Sequence, residues 1–304
     1  MAAGSLRSTT QNVQLARVGI DKIVTLGPTR QEARYLGYCA EVPDNHQEYY
    51  LIQQMTNLPA AQATQEGTGI EIFGFQTPFQ QQVYKTKYAL ALAFTTETLE
   101  RDPYNVWKNP GAKMRDAHMK AMSGLYSGFW NLGTTSLTTP DGQPLFSSTH
   151  IIQNGTFSNL IASSAALSAL ALEQGVQDIR QQPDWFGDPV FFTGSMALVV
   201  PPALEMLANR IVRSTQLAQT NDNDPNYVAS TVDRVIVDPW ITSTTGWGLV
   251  PVAGTDNPLK RMTERAPRVD ENVAYMNDSH VYTSTSIFTL FAETPYNVGY
   301  SAGA

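Results

Sequence analysis

The stretch RDPYNVWKNPGAKMRDAHMKAMSGLYSGFWNLG, Arg101–Gly133, carries the strongest long-helix pattern in the chain. Asn109 stands where an N-cap belongs and Pro110 follows at the first helical position, where its missing N–H costs nothing and its fixed φ suits a helix. Apolar residues recur at Met114, Ala117, Ala121, Leu125, Phe129 and Leu132, in steps of three and four that make one stripe. Lys113, Arg115, Asp116 and Lys120 fall on the opposite face, and Gly133 is the C′ candidate. The pattern predicts a helix over 110–132, roughly 33 Å long at 1.5 Å per residue. Gly124 and Gly128 cost it about 1 kcal/mol each in helix propensity, so they predict a close approach or a bend. One stripe, one basic face and unusual length describe a strut lying across a sheet rather than a pocket wall.

Composition points the same way. Of 304 residues, 42% are hydrophobic and only 15% charged, against about 25% charged in ordinary globular chains. Much of the surface is therefore neutral or covered, and neighbouring subunits are the natural cover. The longest apolar runs, Tyr88–Phe94 and Met196–Ala203, are too short to span a membrane, and MAAGSLRSTTQN lacks the apolar core of a signal peptide. The single cysteine, Cys39, fits a reducing compartment. A net charge of −7 argues against a nucleic-acid binder as a whole, although Arg7, Arg17, Lys22, Arg30 and Arg34 make the first 40 residues basic, like the strut.

Around the strut the chain reads as α+β, without a βαβ rhythm. Residues 1–45 have weak periodicity and too little apolar surface to fold alone, with a short helix near Thr29–Leu36. Gln47–Met55 is a strand, NLPAAQATQEGTG a small-residue tip, and the return arm shows period-two alternation at Ile70/Ile72 and through Val83–Phe94. Together they predict a long hairpin that must lie on another surface. Beyond the strut, Asp141-Gly142 marks a turn and Ala162–Gln181 a second helix with Leu167, Leu170, Val176 and Ile179 in phase. Met196–Val200 is a buried strand, followed by a helix opening at PPALEM. Gln219–Tyr227 is a polar loop, and Val232–Val237, Trp247–Val252 and Val281–Phe291 are strands.

Catalytic motifs are missing. His46, His118, His150 and His280 are not at metal-ligand spacing, GLYSG at 124–128 is not a nucleophile elbow, and Asn221–Asp224 lacks the glycine and closing glutamate of a calcium loop. No catalytic residue, metal or cofactor is expected.

Local segments then resemble a known family. Thr139-Pro140-Asp141-Gly142-Gln143-Pro144-Leu145-Phe146-Ser147-Ser148-Thr149-His150, followed by Gly155-Thr156-Phe157-Ser158-Asn159-Leu160, is similar to the DG-x-x-LF-S-x-x-H … G-x-x-x-N segment of the Mu-like major head subunits. Leu198-Val199-Val200-Pro201-Pro202-Ala203-Leu204-Glu205 with Ala208 resembles their LVVPP-x-L-x-x-x-A turn, and Thr95–Asp102 their T-x-E-x-L-x-x-D lead into the strut. The matches span roughly residues 85–240, about half of the chain. The order of parts resembles tailed-bacteriophage major capsid proteins of the Hong Kong 97 type.

That resemblance implies an N-arm (1–45) and an extended β-hairpin loop (46–88). It implies a peripheral domain (89–159 and 252–304) with spine helix 110–132, and an axial domain (160–251). It implies a self-assembling icosahedral shell of pentamers and hexamers in the virion, put together in the host cytoplasm. Implied partners are a scaffolding protein, a portal, cement proteins and packaged double-stranded DNA met without sequence specificity, with no membrane. Leu58, Pro59, Thr64, Gly67, Asn221, Asp222, Asn223 and Asp224 become candidates for inter-subunit contact, and Lys113, Arg115 and Lys120 for facing the lumen. No lysine lies between residues 46 and 84, so a lysine crosslink in the loop is not expected. The alternatives are an encapsulin-like nanocompartment shell and an enzyme whose site gathers His150, Asp141 and Asp188.

Overall fold

A computed structural model describes residues 34–65, 67, 69–70, 72–100, 110–190, 192–214, 226–252, 257–274 and 279–303. The expected N-arm before residue 34, the Asn109 cap and the Asn221–Asp224 loop lie outside them. The first half holds a 3-10 turn Arg34–Gly37, β1 Ala40–Val42, β2 Tyr49–Gln54, β3 Phe79–Tyr84, β4 Thr86–Thr95, α1 Thr96–Glu100, α2 Pro110–Tyr126, α3 Gly128–Asn131, β5 His150–Ile152 and β6 Gly155–Phe157. The second holds α4 Ala169–Arg180, β7 Met196–Val200, α5 Glu205–Arg213, α6 Val228–Thr231, β8 Val232–Val237, β9 Trp247–Pro251, β10 Leu259–Ala274, β11 Ser279–Ala292 and β12 Gly299–Ser301. Packing divides the described chain into one unit from Lys85–Met122 and Thr263–Thr289, and a second from Arg34–Tyr84, Ser123–Met262 and Leu290–Ala304.

In the first unit β4 runs antiparallel to β11, from Thr86 opposite Phe288 to Thr95 opposite Ser279. Tyr88 stacks on Phe288 at 4.3 Å. The buried stripe of α2 is not the one its apolar letters predict: Met114, His118 and Met122 are buried, while Ala117 and Ala121 are exposed. The buried face is rotated by roughly 60° at 100° per residue. Alanines add little area when buried, and His118 enters the face because Ser286 meets its Nδ1 at 2.9 Å. Lys113, Arg115 and Lys120 are all exposed. Lys113 and Lys120, seven apart, share a side; Arg115, two residues on, stands about 160° away.

The strut is also shorter than expected. It breaks at Ser127, whose Oγ donates to the Ser123 carbonyl and lies 2.6 Å from Asp238 Oδ2. A serine bonding back to the i−4 carbonyl bends a helix, and here a buried carboxylate holds it there. Gly133 is not a left-handed C′ residue. A Cβ there would meet the Phe129 carbonyl at 2.2 Å and the Phe146 ring at 2.6 Å, so the glycine admits a ring.

No periodicity announces β10, the longest strand at 16 residues. LKRMTERAPRVDENVA is charged and contains Pro267. β1 pairs with it in parallel only at Lys260–Met262. Beyond that it is an edge of the sheet ordered β1-β10-β11-β4, among the described residues, and proline and charge are tolerated on edges.

The second unit is built on a sheet ordered β12-β9-β7-β8. All five residues of β7 (MALVV) and of β9 are buried, as the apolar runs predict. α4 and α5 supply Leu172, Val176, Ile179, Ala208 and Ile211 to the same core. α4 begins later than expected, at Ala169, because the Ser168 hydroxyl caps it by accepting the Ala171 N–H. Leu170 is therefore out of phase and exposed. Trp130 lies over Gly248, where a Cβ would come within 2.1 Å of the indole.

Candidate inter-subunit surface and its anchor

The predicted hairpin is narrower than the sequence suggests. β2 and β3 pair only from Tyr49 opposite Tyr84 to Gln54 opposite Phe79. One further exchange, Thr56 N–H to the Gln76 carbonyl at 2.9 Å, closes the ladder. The alternating Ile70 and Ile72 form no strand, and the second arm ends at Tyr84 because β4 pairs with β11 instead. Alternation supplies one apolar edge, but a strand also needs a partner.

The root of the hairpin is held. Ile52 is buried with Met262 and Phe291, and Val42, Tyr50 and Val83 close around them. Gln54 Nε2 donates to the Glu293 carbonyl at 2.9 Å and Gln81 Nε2 to the Thr138 carbonyl at 3.2 Å. The tip is bare: Ile70 is 81% exposed, Ile72 94% and Phe75 64%, with Met55, Leu58 and Phe73 also exposed. Among the predicted contact residues Leu58, Thr64 and Gly67 are exposed and Pro59 is half-buried; Gly67 takes φ +88° in the turn. Sequence reasoning passed over Ile70, Ile72, Phe73 and Phe75. Their signal is the run IEIFGF, whose alternation predicts a strand.

Next to the root lies a saturated knot. In the turn at Asp141-Gly142, Gly142 has φ +78° and donates its N–H to the Thr139 carbonyl. Asp141 Oδ2 stands 2.8 Å from His150 Nδ1, both side chains buried. Thr139 Oγ1 and the Gln143 N–H donate to the other oxygen. His150 Nε2 faces the Leu145 carbonyl at 3.2 Å, so both ring nitrogens meet acceptors, an arrangement that suits the doubly protonated ring. Asn159 Nδ2 donates to the same carbonyl and to that of Pro295, and its Oδ1 accepts the Ser147 N–H. Burial alone would push the Asp141 carboxyl up; the His150 and Thr139 hydrogen bonds, the His150 charge and the Gln143 N–H more than offset it and hold it below the usual value. Phe146 is stacked between Trp130 at 5.5 Å and Tyr300 at 4.9 Å. Asp141 and His150 thus meet, but every polar atom of the pair is engaged. Asp188 bonds instead with Asp184, its carbonyl accepting the Asp184 N–H and its own N–H donating to Asp184 Oδ1. No helix among the described residues is long and apolar enough to cross a membrane.

Comparison with known proteins gives this arrangement a family. A family model described as phage capsid protein matches residues 80–297, well over half of the chain. The chain belongs to the phage capsid protein family. This capsid protein is a structural subunit of the virion shell, working in many copies. No curated protein sequence matches it. Among solved structures, the mature capsid of bacteriophage PhiM1 superposes with TM-score 0.60 at 12% identity, covering 94% of this chain and 91% of that one. The capsid of the empty GTA particle gives 0.61 at 8% identity, over 99% of each chain. The capsid of cyanophage P-SCSP1u gives 0.60 at 10% identity, over 94% and 91%. At such identities the likeness is one of fold, an α+β fold shared with phage capsids.

Proposed function

We propose that this capsid protein closes its shell without covalent links, by laying the hairpin tip of each copy on a neighbouring copy. The observation that carries this is the bare apolar tip: Ile70, Ile72 and Phe75 project from a root that is itself fixed. Burying each such side chain contributes about 1.5–3 kcal/mol before the costs of association. Leu58, Pro59, Thr64 and Gly67 share the tip and belong to the same contact; Asn221, Asp222, Asn223 and Asp224 are assigned to contacts around the five- and six-fold axes. With no lysine between 46 and 84, the contact is one of packing, or is secured by cement proteins.

Residues 1–45 act as the arm, 46–88 as the extended loop, 89–159 with 252–304 as the peripheral domain and 160–251 as the axial domain. Lys113 and Lys120, exposed on one side of α2, face the lumen near packaged double-stranded DNA, without sequence specificity; Arg115, about 160° away, does not share that side. A separate scaffolding protein guides assembly and a portal completes one vertex. The DG-x-x-LF segment supports a place in the Mu-like group. The test is electron microscopy of the protein expressed with its scaffold. Wild type is expected to give shells, and Ile72→Asp with Phe75→Asp only capsomers or monomers; normal shells from the double variant would sink the proposal.

A further inference from the structure

A cavity of about 390 Å³ lies at the hairpin root, inside the second unit, lined by Phe79, Asp184, Trp185, Tyr296 and Asn297 among others. Its polar atoms are incompletely used. Asp184 is 8% exposed, and its Oδ1 accepts the Phe186 and Asp188 N–H groups at 2.9 Å each. Its Oδ2 has no donor, and no cation stands beside it, among the described residues. The other carboxylates of the lining are matched, Asp141 by His150 and Glu293 by Lys260 at 3.2 Å. Asn297 Oδ1 and Trp185 Nε1 are buried without hydrogen-bond partners. Asn297 is held at φ +61°, a conformation that non-glycine residues adopt reluctantly. Phe79 and Trp185 meet edge to face at 5.6 Å. Burial first, and then the Asp184 and Asp141 charges, push the Tyr296 hydroxyl up to about 12.

We propose that this cavity receives an arginine side chain from a second copy of the chain, a reading that rests on the shell function above. The free Asp184 oxygen has no counter-charge among the described residues, and an incoming cation supplies one. Two separated acceptors, Asp184 Oδ2 and Asn297 Oδ1, beside aromatic faces suit a planar guanidinium with five donors better than an ammonium. The unused Trp185 N–H supplies a donor for a backbone carbonyl of the same incoming segment. Copies of this chain are the partners that a shell sets beside every cavity.

The site is tested on the unassembled chain with agmatine, which carries a guanidinium and an ammonium, and its urea analogue, which keeps the ammonium and lacks the guanidinium charge. Agmatine is expected to bind saturably, at least tenfold more tightly than the analogue. Asp184→Asn keeps the Oδ1 acceptor of the turn while removing the charge, and should weaken binding at least tenfold. Asn297→Gly keeps the left-handed backbone while removing the orphan acceptor, and should weaken it several-fold. No saturable binding, or binding unchanged in Asp184→Asn, overturns the site. The source is tested in shells co-assembled from light and heavy-isotope chains, with a photo-crosslinking residue at position 79. Crosslinks from light chains to an arginine-bearing peptide of heavy chains are expected; crosslinks to another protein alone, or none between copies, overturn the second-copy assignment. The agmatine titration needs no shell, so a failure of assembly is seen separately from a failure of the cavity.

Discussion

The hairpin tip and the Asp141–Asn159 knot are both rich in turn residues, and their physics is opposite. In the knot, two charges, two amides and a hydroxyl satisfy one another and the backbone around Leu145, and Phe146 is sandwiched between two rings. In the tip, Phe75 is 64% exposed and Ile72 94%. The knot is finished within one chain, whereas the tip leaves its apolar side chains uncovered by that chain. Stability and assembly should therefore separate under mutation.

The largest effect is expected from breaking the knot. Asp141→Ala leaves the His150 ring buried without its carboxylate, and an uncompensated buried charge costs about 3–5 kcal/mol. Urea unfolding of the isolated chain should show that loss; a change below about 1 kcal/mol would mean that the pair is ornamental. Phe146→Ala, which empties a fully packed site, should cost a similar about 3–5 kcal/mol.

Acid gives a smaller, graded version. The folded carboxyl of Asp141 titrates below its unfolded value, so its contribution is complete above the unfolded pKa of about 3.9 and is lost as pH falls through the lower folded value. Between pH 5 and pH 3 wild type should lose more stability than Asp141→Asn; parallel pH curves would contradict the assignment. Gly142→Ala should cost about 1 kcal/mol, since nothing blocks its Cβ and only φ +78° opposes it.

What the sequence disclosed follows the same division. MALVV at 196–200 and WGLVP at 247–251 were legible because strands buried on both faces are continuous apolar runs. The strut was legible as a helix but not in its phase, because a buried His118 looks polar until Ser286 is opposite it. β10 was hidden, since pairing with β11 rather than its own letters makes LKRMTERAPRVDENVA a strand. In the knot, the turn at Asp141-Gly142 could be read, but a pair nine residues apart in sequence has no periodicity to betray it. The tip was legible as a tip, with its apolar anchor mistaken for a strand. Alternation reports two faces and does not report whether the same chain covers one of them.

The smallest effect on stability is the sharpest on the comparison. Phe75→Ser in the isolated chain removes an aromatic ring from a site that its own chain leaves 64% exposed. Exposed positions away from special contacts usually change stability by no more than about 0.5 kcal/mol, so the urea midpoint should stay where it is. Phe146→Ala sets the scale for a buried ring in the same unit. If Phe75→Ser destabilised the isolated chain by more than about 1.5 kcal/mol, the tip would be packed against its own chain in solution, and its apolar residues would not be free for a neighbour. An unchanged midpoint would show that their exposure serves nothing inside the single chain, as the proposed contact with a neighbouring copy requires.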